Sequence, residues 1–199
     1  MPSPLGHLLG GVAAAWTADL VPGDRRWRTA PRTASWYRRA GDGLTAICAA
    51  LAVLADLDLS LQGHRTITHS VTAAVIVAIV AAGVTKWVTE RSVVRVASMC
   101  AGAYLTHLLF DWMAADTFYP YGIQLFWPFS GSWHISGWDV FLQTERYRVL
   151  GAAAMAKNVA AAVGEIAVLV PLVAGLWLVR VKALARLAAE VPSRDHAPQ

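Results

Sequence analysis

Fourteen residues near the middle of the chain, Asp56 to His69, hold two carboxylates (Asp56, Asp58) and two imidazoles (His64, His69). The run that contains them, DLDLSLQGHRTITHS, lies between two apolar stretches, LTAICAALAVLA and VTAAVIVAIVAA. A charged side chain at bilayer depth costs about 2.5–3.5 kcal/mol on insertion scales, so such groups need partners or a task. Any fold open to this chain must bring compensating charge to the cluster or keep it wet. A divalent metal would be one such compensation.

Apolar character extends over most of the 199 residues, of which 56% are hydrophobic and 15% charged. With a mean hydropathy of +0.46, this points to an all-α, polytopic membrane protein rather than a soluble globule. About five transmembrane helices are expected, over Leu5–Leu20, Leu44–Leu57, His69–Val88, Val93–Ala115 and Val159–Val179. The first two are short, since at ~1.5 Å per residue they cover less than the ~30 Å hydrocarbon core. They are expected to end in a polar cavity or to span incompletely. Residues 1–180 read as one membrane-embedded domain, and 181–199 as a surface helix running into a disordered tail. The first twenty residues contain no Lys or Arg, so a cleaved leader is not expected. Cys48 and Cys100 have no CxxC partner and read as buried thiols.

Six arginines between Arg25 and Arg39 form a basic loop that, beside membrane segments, indicates anionic lipid rather than nucleic acid. Placing that loop inside puts thirteen of the seventeen Lys and Arg residues on the inner side, leaving Arg65, Arg146, Arg148 and Lys157 outside. The positive-inside rule then gives an N-out, C-in topology. The same arrangement brings His7, Asp56, Asp58, His64, His69, His107 and Asp111 toward one level. The segment Asp116 to Arg148 is too rich in Pro, Gly and aromatics for a helix. Its Tyr119, Tyr121, Trp127, Trp133 and Trp138 suit the headgroup zone, as a lid or as an interfacial anchor.

His107 and Asp111 are spaced i, i+4, which on a helix sets both on one face. Alone, this pair could be a hydrogen-bonded couple, Asp56 and Asp58 a polar helix end, and Thr68 or Ser70 a helix cap. Together they point to a metal site with His7, Asp56, Asp58, His69, His107 and Asp111 as candidate ligands. Imidazole and carboxylate without thiolate suit zinc first, then manganese or iron, and there is room for one or two ions. Such sites serve phosphoester hydrolysis through a metal-activated water. Asp58 would be a further ligand or orient that water, and His64 with Arg65 would contact substrate.

Three motifs resemble the YdjM-type family of inner-membrane metal-dependent hydrolases, long carried as a domain of unknown function. They are SPLGHLLGG, LADLDLSLQGHRTITHS and YLTHLLFDWMAADTFYPYGIQLFWPFS, together spanning roughly the first two thirds of the chain. Ala55 stands where the family usually has Pro, and Leu59 where a His often follows the acidic pair. The His-x-x-x-Asp helix is more distantly similar to that of the zinc-dependent phospholipase C and P1 nuclease group. The spacing of His134 and Glu145 does not let them stand for the later ligands of that group. The resemblance implies a hydrolase of the cytoplasmic (inner) membrane. Location adds membrane lipid as a partner and a lipid or lipid-linked phosphoester as substrate. The competing classes are a divalent-metal transporter or channel, which needs polar residues at several depths, and a non-catalytic protein whose metal clamps its helices.

Overall fold

The structure, a computed structural model, describes residues 1–21, 29–60, 64–145 and 150–190. Among them are six α-helices and no strand: α1 (Pro4–Leu20), α2 (Trp36–Ala40), α3 (Gly43–Leu54), α4 (Val71–Val88), α5 (Val93–Met113) and α6 (Ala152–Glu190). Of the basic loop, Arg32, Arg38 and Arg39 are described. Arg25, Arg26 and Arg28 lie outside the described residues, as do Arg146, Arg148, Arg194 and His196.

Local chemistry sets the helix starts. Ser3 caps α1 by accepting from the Gly6 amide, with Pro4 in the first turn where its missing N–H costs nothing. Asp42 and Thr45 form a reciprocal capping box on α3. Ser70 caps α4 by accepting from the Ala73 amide, so His69 lies just outside the helix rather than in its first turn.

Two other boundaries differ from expectation. The α-helical part of α3 ends at Leu54 and tightens into a 3₁₀ turn, Ala55–Ser60, which carries both Asp56 and Asp58. At the other end of the chain, no break separates a fifth span from a surface helix. The alanine-rich and leucine-rich residues beyond Val179 are strong helix formers and continue α6 to Glu190, 39 residues in all, with Pro171 accommodated within. At ~1.5 Å per residue, α6 is far longer than a ~30 Å hydrocarbon core.

α1 is the central element, packed against α3, α5 and α6, while α4 packs on α5. Its small residues allow this. A Cβ on Gly11 would sit 2.4 Å from the Cys48 carbonyl oxygen of α3, and one on Gly10 would sit 2.7 Å from the Phe110 ring of α5. Such close backbone approach is how helices pack where no hydrophobic effect drives them together. The core beneath the polar cluster is formed by Ala15, Leu44, Cys48, Met99, Cys100 and Ala103. α4, α5 and α6 are each long and apolar enough to cross a membrane, whereas α1 has 17 residues and α3 has 12. α4 leaves Val75, Ile79, Val80 and Val84 exposed, and α6 leaves Val159, Val163, Leu172 and Val179 exposed, as lipid-facing helices do.

Residues 114–145 form an irregular cover over one end of the bundle. Two isolated bridges, Ala114 with Phe141 and Ile123 with His134, hold it in shape. It is docked through Val71 N to Leu125 O (2.9 Å), the Thr72 hydroxyl to Trp127 O (2.7 Å) and Ser136 N to Trp112 O (2.8 Å). Tyr119, Tyr121 and Trp138 are exposed at its surface, while Trp127 and Trp133 are half-buried.

Candidate metal centre

Four elements deliver five side chains to one point under this cover. α1 supplies His7, the 3₁₀ turn Asp56, the residue before the α4 cap His69, and α5 both His107 and Asp111. His7, His69 and His107 are fully buried and Asp111 is 2% exposed. His107 Nε2 lies 3.1 Å from His69 Nε2, and one Asp111 oxygen lies 3.2 Å from the former and 3.3 Å from the latter. His7 Nε2 is 3.6 Å from the other Asp111 oxygen and 3.9 Å from Asp56. Asp56 Oδ1 is 3.6 Å from His69 and 3.8 Å from His107. The His7 and His107 rings stack with centroids 3.8 Å apart.

These groups fit a cation by a test of hydrogen bonding. His107 Nδ1 lies 2.8 Å from the Ala52 carbonyl oxygen, a pure acceptor, so Nδ1 carries the proton and Nε2 presents its lone pair inward. His69 Nδ1 lies 2.9 Å from the Thr68 hydroxyl, which itself donates to Asp58, so His69 Nε2 also faces inward. Two nitrogen lone pairs and two carboxylates thus converge. Asp56 Oδ1, both Asp111 oxygens and both His7 nitrogens are buried without a hydrogen-bond partner. Buried carboxylate oxygens left this way are costly unless something positive joins them. Ligands about 2.0–2.2 Å from one ion stand roughly 3 to 3.5 Å apart, close to the separations seen. Buried His and Asp groups that can hold a metal ion are therefore present: His7, Asp56 and His107; His69, His107 and Asp111; and Asp56, His64 and His69.

The electrostatics agree. Burial alone would lower the His69 pKa, but the carboxylates of Asp111, Asp56 and Asp58 outweigh it and raise it to about 10, so they draw to Nε2 a proton that a bound cation would displace. These carboxylates favour positive charge where His69 stands. Burial would raise the Asp58 pKa, yet its contacts with His64, His69 and Thr68 hold it well below the usual carboxylate range.

Of the residues expected at the site, Asp58 lies one layer out. It contacts His64 Nδ1 at 2.5 Å and accepts from Thr68, and it belongs to none of the convergent groups. His64 stands edge-on to His69 with centroids 4.9 Å apart. Arg65 faces away. It forms an ion pair with Asp116, donates to Phe118 O at 3.3 Å and lies 5.9 Å from the Trp133 ring. Asp116 also accepts from the Gly122 amide (2.7 Å), so this pair ties the turn after the 3₁₀ segment to the aromatic cover. His134 pairs through its backbone with Ile123, and Glu145 lies 3.9 Å from Lys157, both apart from the centre. From the sequence Thr68 reads only as a candidate helix cap, a part that Ser70 takes, and Asp116 is given no role. Thr68 adjoins His69 in TITHS, which is a signal for a supporting hydroxyl, whereas Asp116 gives no local sign of its partner. Glu165, an acid within the apolar stretch of α6, accepts from Ser3 N at 2.7 Å and so anchors the start of α1, the helix that carries His7.

The family model for the YdjM inner membrane protein matches residues 1–186. The chain belongs to that family. Its members are inner membrane proteins, in keeping with the three spanning-length helices. No curated protein and no solved structure matched the chain.

Proposed function

We propose that this YdjM-family protein is a membrane-bound, metal-dependent hydrolase acting on a phosphoester of a lipid or lipid-linked substrate. The observation that carries the reading is the convergence of three imidazoles and two carboxylates on one buried point, with Nε2 of His69 and of His107 facing inward. His7, Asp56, His69, His107 and Asp111 would hold the ion, zinc first and manganese or iron next. Five protein donors leave one position for water in a six-coordinate shell, and divided between two ions they leave more. Bound there, a divalent ion would lower the pKa of a water and draw charge from a phosphoryl oxygen.

The other residues take supporting parts. Asp58 and Thr68 orient His69, and Asp58 also fixes His64, which stands at the rim where a substrate oxygen would arrive. Arg65 acts through Asp116 to hold the aromatic cover in place rather than meeting the phosphate directly. Exposed Tyr119, Phe129 and Trp138 on that cover suit the headgroup zone, which supports a lipid substrate. In this reading α1 and α3 complete a five-span bundle, with α3 ending in the polar centre rather than crossing fully.

Elemental analysis of the purified protein, paired with a panel of phosphodiesters and phosphomonoesters, tests the reading. Wild type should carry metal and cleave at least one ester. His107→Ala and Asp111→Asn should lose both while still inserting. Full metal content in both variants would overturn the ligand assignment. Complete burial of the three imidazoles gives weight to one alternative, a metal that only clamps the helices. In that case chelation would lower the melting temperature and no ester would be cleaved.

A further inference from the structure

Far from the metal centre, α6 emerges from its apolar stretch and meets the turn before α2. The Ala30 amide bonds to Leu184 O at 3.4 Å, and next to this contact lies a groove of about 640 Å³. Arg32 of the turn and Lys182 and Arg186 of α6 line it, with carbon from Pro31, Ala185 and Ala189 between them. Lys182 and Arg186 stand i, i+4, so both project from one face. Among the described residues no carboxylate lines the groove.

Three neighbouring cations at this end are engaged. Arg180 Nε bonds to Asp19 at 2.6 Å, Arg91 lies 3.3 Å from Asp42, and Arg95 donates to the carbonyls of Ala18 and Val21. Arg32, Lys182 and Arg186 form no ion pair with any described residue. Like charges gathered in one groove repel one another, and an anion between them removes that cost. The surroundings say which anion. Just below the groove α6 exposes Leu172, Leu178 and Val179, and beside it α2 exposes Trp36 and Tyr37 at 70% and 76%. A ligand whose phosphate meets the cations while its chains lie along α6 satisfies both surfaces, whereas a soluble anion would satisfy only the first.

We infer that the Arg32, Lys182 and Arg186 groove is a binding site for the headgroup of an anionic phospholipid of the surrounding membrane. The site is separate from the metal centre and does not depend on the hydrolase reading. Basic pockets beside spanning helices bind phospholipid headgroups in this way.

The test uses full-length protein in an uncharged detergent, titrated with phosphatidylglycerol, phosphatidylcholine or inorganic phosphate while thermal unfolding is followed. Phosphatidylglycerol should raise the melting temperature saturably, and the other two should not. Lys182→Gln and Arg186→Gln should each weaken the apparent affinity roughly fivefold. Lys157→Gln, at the opposite end of α6, should leave it unchanged. An equal response to phosphatidylcholine, or an unchanged response in both groove variants, would overturn the proposal. A response to phosphate as large as that to phosphatidylglycerol would overturn the lipid assignment in favour of a free-anion site. Native mass spectrometry of the wild type gives a second readout, independent of variant folding, and loss of all retained phosphatidylglycerol under gentle activation would also count against the site.

Discussion

His69 is gripped from behind as firmly as it is presented in front. Its Nδ1 bonds to the Thr68 hydroxyl, whose own proton goes to Asp58, so one short relay fixes both ring orientation and tautomer. Partners of this kind typically change metal affinity by 10–100-fold when removed. Thr68→Val keeps shape and volume but deletes the relay. It should weaken metal binding by about that factor in a chelator competition assay while the protein inserts at wild-type level, and wild-type affinity would mean the relay does not position His69. The histidines and acids of the centre were legible in the sequence because ionisable groups are scarce in so apolar a chain. Their layering was not. Asp56 and Asp58 lie two apart in a 3₁₀ turn, where about three residues make a turn, so the two side chains diverge. Asp56 faces the other side chains of the centre and Asp58 stands behind them. The partner of Arg65 was not legible either, since Asp116 lies 51 residues away.

At the scale of elements, the centre depends on how closely α1 approaches α3, because His7 rides on one and Asp56 follows the other. Gly11 sets that distance, since a Cβ there would lie 2.4 Å from the Cys48 carbonyl and 2.8 Å from the Ala49 Cα, both backbone atoms that cannot swing aside. Gly11→Ala should therefore destabilise the protein by about 1–3 kcal/mol through overpacking and weaken metal binding as α3 shifts. Gly83→Ala on α4 is the matched control, because a Cβ there meets nothing within 4 Å. It should stabilise by roughly 0.5–1 kcal/mol through helix propensity alone and leave the metal untouched. Thermal unfolding with and without chelator measures both, and equal effects of the two substitutions would remove Gly11 from any special part. The apolar runs and their serine and aspartate caps made the helices readable in advance. The extent of α6 was not readable, because hydropathy marks where the membrane ends rather than where the helix ends. Arg180 and Lys182 closed the apolar run without breaking a sequence that still favours helix.

Over the whole molecule, charge and chemistry separate along the helix axes. α1 carries His7 at one end and Asp19, bonded to Arg180 of α6, at the other, and twelve residues at ~1.5 Å place these about 18 Å apart. α5 likewise runs from Arg95 beside Ala18 to Asp111 in the centre. Among the described residues the end away from the metal centre gathers Arg32, Arg38, Arg39, Lys86, Arg91, Arg95, Arg180, Lys182 and Arg186, whereas the centre's own end has Arg65, already paired with Asp116, and Lys157. In an inner membrane protein this asymmetry predicts that the basic end faces the cytoplasm and the metal centre and aromatic cover face outward. Cysteine labelling decides the matter, since Cys48 and Cys100 are buried and should give little background. Gly131→Cys, on the cover where a Cβ meets nothing within 4 Å, should react with a membrane-impermeant maleimide on intact spheroplasts. Ala189→Cys, exposed near the end of α6, should react only after the membrane is opened. The reverse pattern would turn the molecule over and present the centre to cytoplasmic substrates, and labelling of both from outside would mean that α6 does not cross.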